Sequence, residues 1–112
     1  MKYNLKVLDT FEKAAKPLLK KYPSFKQDMV TLFDEITKNP TCGTYLGGGL
    51  RKIRVAIASK NKGKSGGARV ISYDVIVDIM ETDIYLLTIY DKENTESITK
   101  DEIKRLLEKN GL

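Results

Sequence analysis

Three strand-like segments follow one another between Lys52 and Tyr90, and this succession limits the possible folds more than any other feature. Lys52 to Ser59 alternates cleanly, with Ile53, Val55 and Ile57 facing one way and Lys52, Arg54, Ala56 and Ala58 the other. Arg69 to Ile79 is β-branched and reads as a long strand. Glu81-Thr82-Asp83 turns the chain, and Ile84 to Tyr90 is apolar enough for a strand buried on both faces. Consecutive strands with short connections predict an antiparallel meander.

Helical spacing dominates the other segments. After a short first strand, Lys2 to Leu8, the residues Leu8, Phe11, Ala15, Leu18 and Tyr22 form one apolar stripe. Asp9 and Glu12 have capping-box spacing, and Pro17 predicts a kink or restart. Pro23 ends this helix, and Ser24 to Gln27 has capping-box spacing for the next. Its stripe is Phe25, Met29, Leu32, Phe33 and Ile36, and Asn39-Pro40 stops it. Gly43 to Gly49 and Lys60 to Gly67 read as loops. The last helix has a third capping box, Thr99 to Glu102, an Ile98–Ile103 staple and Gly111 as its stop. The predicted order is β-α-α-β-β-β-α. The fold class is α+β, one domain over residues 1–112, an antiparallel sheet with a helical hairpin packed on one face.

Composition excludes several chemistries. Histidine is absent, which removes serine triads, Cys–His pairs and the common zinc sites, and the lone Cys42 cannot form an internal disulfide. No metal and no cofactor are expected. No apolar run approaches the roughly 18–20 residues of a membrane span. Met1-Lys2-Tyr3-Asn4 lacks the apolar region of a signal peptide, so no membrane association and a cytoplasmic location are expected.

Charge is concentrated. Residues 51–69 carry seven basic side chains and no acidic one, whereas the whole chain has a net charge of +5. Such a field attracts polyanions, above all nucleic-acid phosphate. Lys52 and Arg54 fall two apart on one strand face, and an antiparallel return brings Arg69 near them. Strict alternation groups Arg69 with Ile71, Tyr73 and Val75, so a bulge or strand end is expected to free its guanidinium. Gly63-Lys64-Ser65 imitates the end of a phosphate-binding P-loop. However, Ala58 stands where that pattern needs glycine, and a strand follows where it needs a helix.

A solvated basic surface, a nucleic-acid surface without catalysis and a nuclease surface remain. For the last, RNA supplies its own nucleophile, the 2′-OH, and the protein needs a proton acceptor and cations for the phosphorane-like transition state. A lysine among other cations is a usable base. Tyr73, Tyr85 and Tyr90 lie on the same strands, where a ring can stack on a base or pass a proton. Tyr85 is assigned to the core.

The runs Leu50-Arg51-Lys52-Ile53-Arg54-Val55-Ala56-Ile57, Gly63-Lys64-Ser65-Gly66-Gly67-Ala68-Arg69-Val70-Ile71 and Ile84 to Lys92, with Leu19 to Ser24 upstream, resemble the RelE/HigB toxins of bacterial type II toxin–antitoxin modules. The resemblance implies a RelE-like, microbial-RNase-like fold. It also implies a ribosome-dependent endoribonuclease, an mRNA interferase that inhibits translation by metal-independent cleavage through the 2′-OH. Its partners would be mRNA on the ribosome and a cognate antitoxin with a DNA-binding domain. The family's catalytic cations fall on Lys52, Arg54 and Arg69, and a further arginine falls near Lys92. The C-terminal tyrosine of some members is missing from Asn94 to Ile98, so Tyr90 or Tyr73 must stand in for it. Arg51, Lys60, Lys62 and Lys64, with Tyr73, are expected to bind RNA and ribosome, and Lys52 is the expected base. The alternatives are a ParE-like inhibitor of DNA gyrase and a non-catalytic RNA- or ribosome-binding protein.

Overall fold

Amphipathic helices and alternating strands hide their apolar faces against one another, and here they do so on both sides of one sheet. The structure, a computed structural model, describes residues 1–95 and 97–112. The chain runs β1 (Lys2–Val7), α1 (Asp9–Lys21), α2 (Phe25–Lys38), β2 (Thr44–Gly47) and β3 (Leu50–Val55). A 3₁₀ turn (Ala58–Lys60) leads to β4 (Ala68–Asp78), β5 (Glu81–Asp91) and α3 (Lys100–Lys109). The architecture is α+β, with the sheet ordered β1-β5-β4-β3-β2.

Two expectations about the sheet are corrected. The sheet is mixed, because β1 runs parallel to β5 while the other pairs are antiparallel. Parallel neighbours need a long connection, and here everything between Leu8 and Met80 supplies it. The glycine-rich stretch Gly43 to Gly49 is not all loop. Its first half is β2, which folds back on β3 through Gly47, Gly48 and Gly49, all at positive φ.

The helical hairpin covers one face of the sheet. Phe11, Leu18, Tyr22, Phe25, Met29, Leu32 and Ile36 pack on Ile53, Val55, Val70, Ile84, Leu86 and Ile89. A smaller cluster forms on the opposite face, where Ile103 and Leu107 of α3 meet Ile71, Leu87, Leu50, Tyr73 and Tyr90. Leu8 joins this second cluster and not the α1 stripe. The register slips by one residue at Leu87 and reverses the alternation beyond it, so Ile89 joins Ile84 and Leu86 in the larger cluster while Tyr90 joins Leu87 in the smaller.

The helix ends differ from expectation in two cases of three. Leu8 is the N-cap of α1 and makes no side-chain cap, so Asp9 and Glu12 serve only as first-turn acids that complement the helix dipole. Pro17 does not interrupt α1, which runs through it; Lys13 and Pro17 are both exposed, so water can bond the carbonyl that proline leaves free. At α2 the Ser24 hydroxyl is engaged elsewhere. It donates to Asp28 Oδ2 (2.7 Å) and accepts the Ser59 N–H (2.9 Å), which docks the 3₁₀ turn on the helix. The α3 capping box forms as expected: the Glu102 N–H donates to Thr99 Oγ1 and the Thr99 N–H to Glu102 Oε1. Thr99→Ala is expected to cost about 1 kcal/mol, read as a lower urea midpoint at constant slope. An unchanged midpoint would assign the cap no stabilising role.

Candidate nucleic-acid interface

Strand register decides which of the basic side chains meet. Arg54 lies opposite Arg69, and Arg69 opposite Tyr90, so one row crosses three strands. In the neighbouring row Thr44, Lys52, Ile71 and Thr88 are aligned. Neighbouring strands are about 4.8 Å apart. Lys52, Arg54 and Arg69 therefore share one sheet face, the one that α3 partly covers. Arg69 needs no bulge to reach it, since Ile71 and Tyr73 face the same way. The slip at Leu87 lies further along the sheet.

The members of this row differ in availability. Arg54 is exposed and Lys52 half-buried, and among the described residues neither side chain makes an ion pair or hydrogen bond. Arg69 is only 6% exposed. Its Nη1 donates to the carbonyls of Lys64 (2.9 Å) and Ala68 (3.1 Å), and its Nη2 to that of Ser65 (3.1 Å). Arg69 thus braces the 61–67 loop from beneath. The Tyr90 ring packs in the second cluster with its hydroxyl enclosed. Burial pushes its pKa up, against the lowering effects of the Arg69 charge and the nearby Ile98 backbone, although the hydroxyl has no hydrogen-bond partner among the described residues. Tyr73 packs in the same cluster, opposite Leu50 and Tyr85.

Two residues expected at the RNA surface lie elsewhere. Arg51 points to the opposite face from Lys52, as alternation requires. There its Nε donates to Asp74 Oδ2 (3.3 Å), its Nη1 to the Thr41 carbonyl, and the Tyr45 ring lies 5.1 Å from the guanidinium. Burial raises the pKa of Asp74, opposed by its bond to Arg51. Lys60 is buried, its side chain 4% exposed. Its ammonium pairs with Asp91 at 2.5 Å and donates to the carbonyls of Gly66 and Gly67. It also lies 5.0 Å from the Tyr22 ring centre. Lys62 and Lys64 are on the surface as expected, in exposed pairs with Glu93 and Glu35. Such pairs contribute about 0–1 kcal/mol. Lys92 is half-buried beside the loop, its N–H bonded to the Gly67 carbonyl. Glu96, within the Asn94 to Ile98 stretch, lies outside the described residues.

No family model matches the chain.

The pattern of charge overlooked Asp91. It closes a buried hub in which Lys60, the Tyr22 hydroxyl and the Glu93 N–H all donate to one carboxylate. Burial opposes its charge, but these three donors outweigh burial and hold its pKa below the ordinary carboxylate value. An acid ending an otherwise apolar strand was its only trace in the sequence. The glycine loop is therefore held by two internal cations, Lys60 and Arg69, while Lys62 and Lys64 face solvent. Among the described residues, no group of three His, Cys, Asp or Glu side chains is placed to hold a metal ion. Nor is any helix long and apolar enough to cross a membrane.

Proposed function

We propose that this chain is a ribosome-dependent mRNA endonuclease, the toxin of a toxin–antitoxin pair, and that the face bearing Lys52 and Arg54 holds the scissile phosphate. The observation that carries the reading is the pair of cations, Lys52 and Arg54, that no acidic side chain among the described residues neutralises, beside a braced loop that presents Lys62 and Lys64. A phosphodiester laid along β3 meets a point charge at Lys52 and a planar fork at Arg54. The RNA 2′-OH attacks the adjacent phosphorus, and the bond to the 5′-oxygen breaks. The cations stabilise the charge that builds on the non-bridging oxygens. Lys52 in its neutral amine form is the candidate base for the hydroxyl proton and faces the phosphate as an ammonium once it has taken it, while the departing 5′-oxygen takes a proton from solvent. Arg69 acts through the loop it holds, as a positioning residue, and Lys92 adds positive field at the loop's edge. The ribosome would present the codon, and an acidic antitoxin segment would compete for the same cations.

The test is induced expression in bacteria of the wild type beside Lys52→Ala and Arg54→Ala, with mapping of mRNA 5′ ends. Growth arrest with new ends inside translated codons is expected for the wild type. Each variant is expected to lower cleavage about a hundredfold, the size of losing one preorganised donor. Their urea midpoints are expected to stay unchanged, since among the described residues neither side chain has a partner to lose. Arrest with intact mRNA would refute the nuclease reading and point to another target such as gyrase.

A further inference from the structure

The β4–β5 hairpin closes on the wrong residues for a turn left in water. Two-residue hairpin turns favour Asn, Asp and Gly. Here Asp78 pairs with Glu81, and Ile79 and Met80 close the strands. Ile79 is 86% exposed, and Ile76, Val77 and Met80 are also largely exposed. The turn is nevertheless held in place. Asp78 Oδ1 accepts the Met80 N–H (2.7 Å), and the Met80 carbonyl accepts the Lys2 N–H (2.6 Å). The sheet therefore ends in a fixed apolar knob, and contiguous exposed apolar patches mark contact surfaces.

The same chain carries a hollow that matches it. The helices α1 and α2 leave a groove between them, lined by Phe11, Ala15 and Leu19 of one and Met29, Val30 and Phe33 of the other. Its volume is about 450 Å³, and Leu19 and Val30 are open to solvent. Glu12, Lys16 and Lys26 stand at its rim. Residues 13–26, which carry the chain from one helix to the other, hold five lysines and no acid. Residues 70–83, which carry the knob, hold four acids and no base. Among the described residues Asp78, Glu81, Lys16 and Lys26 form no ion pair, and Lys2, opposite Glu81 in the register, does not pair with it.

We propose that the hairpin tip of one copy of this chain docks in the α1–α2 groove of a second copy. Two matches select this occupant: the apolar turn suits the apolar groove, and the acids beside the turn meet the lysines beside the groove. The tip cannot serve its own groove. Lys2 bonds the tip and Val7 lines the groove, and at about 3.3 Å per residue these two ends of β1 lie about 17 Å apart. Both are fixed in one sheet. Knob and groove are different patches, so the contact is heterologous. The helical hairpin lies across the sheet from Lys52 and Arg54, so association leaves that cationic face open. The inference is independent of the nuclease reading.

The test is sedimentation velocity of the full chain between about 1 μM and 1 mM, the span of weak to moderate affinities. Wild type is expected to gain mass with concentration. Ile79→Asp removes the knob and Val30→Glu charges the groove. Both positions are exposed, so both variants are expected to keep the wild-type urea midpoint. Each alone is expected to weaken self-association about thirtyfold, the loss of one interface hot spot. Mixed together, they are expected to pair one to one, because Val30→Glu keeps an intact knob and Ile79→Asp an intact groove. A measurement on wild type guards against misfolding of either variant: on dilution, the methyl resonances of Ile79 and Val30 are expected to move together. A wild type that stays monomeric, or self-association that survives either change, would overturn the proposal and leave the groove to a different partner. So would variants that no longer self-associate yet fail to pair in the mixture, or methyls of which only one moves, since knob and groove would then not meet.

Discussion

Asp91→Ala is expected to destabilise the fold by about 3–5 kcal/mol, the usual cost of leaving one member of a buried ion pair without its partner. Lys60 would keep a buried ammonium whose carboxylate is gone, and the Tyr22 hydroxyl would lose its acceptor. The two residues reach Asp91 from opposite sides, Tyr22 from the end of α1 and Lys60 from the 3₁₀ turn. Their common acceptor thus joins the helical hairpin to the glycine loop. The double substitution Lys60→Met with Asp91→Asn removes both charges together and is expected to cost much less than the sum of the single changes. Urea unfolding of the four proteins measures the coupling. Additive costs would mean that the pair does not act as a unit.

The same hub predicts how stability responds to acid. The folded-state pKa of Asp91 is depressed, so its contribution is fully present above the ordinary carboxylate range, about pH 4. It is lost as pH falls through the lower folded-state value, below which both states hold the proton. Wild type is therefore expected to lose stability progressively below about pH 4. Asp91→Asn is expected to show a flatter acid limb over the same interval. Parallel limbs in the two proteins would remove Asp91 from the acid response.

Much of this arrangement was legible because it is local. Apolar spacing along α1 and α2 marked the face that packs on the sheet, and alternation along β3 set Lys52 and Arg54 apart from Ile53 and Val55. That alternation also placed Arg51 on the far side, but grouping residues by charge concealed it. Lys60 could not be read correctly at all. Nothing near it in the chain is acidic, and Asp91 arrives from 31 residues away across the sheet. A run of cations looks alike whether its ammonium groups meet water or a buried carboxylate. The direction of β1 was hidden for a similar reason, since its pairing with β5 joins residues such as Asn4 and Asp83. β2 was read as loop because four residues bounded by glycines carry too little pattern to declare a strand. The cleft lined by Leu46, Leu50, Ile98 and Ile103 is assembled from three separate segments, the first of which reads as loop.

Gly67→Ala is expected to be the most damaging single-methyl change in the site, although its φ is not in the left-handed region. A Cβ at this position would fall 1.9 Å from the Val55 carbonyl oxygen and 3.1 Å from the Ile57 nitrogen. Both are backbone atoms, so no rotamer change relieves the overlap. Val55 lies in the buried end of β3, paired with Ala68, and neither strand can retreat without opening the larger cluster. The Gly67 carbonyl meanwhile accepts from the Lys92 N–H and from Lys60. Displacing this residue therefore also pulls on the hub at Asp91. Overpacking of a tight core costs about 1–3 kcal/mol, and occasionally more. Immovable backbone on one side places this case at or above the top of that range. The comparison is Gly63→Ala in the same loop, where an added Cβ meets no atom within 4 Å. There the only penalty is the positive φ of 61°, about 1–2 kcal/mol. Thermal melts of the two variants beside wild type decide the matter. A smaller loss for Gly67→Ala than for Gly63→Ala would show that β3 and the loop separate more easily than their packing implies, and the loop would then be a poor scaffold for holding a phosphate.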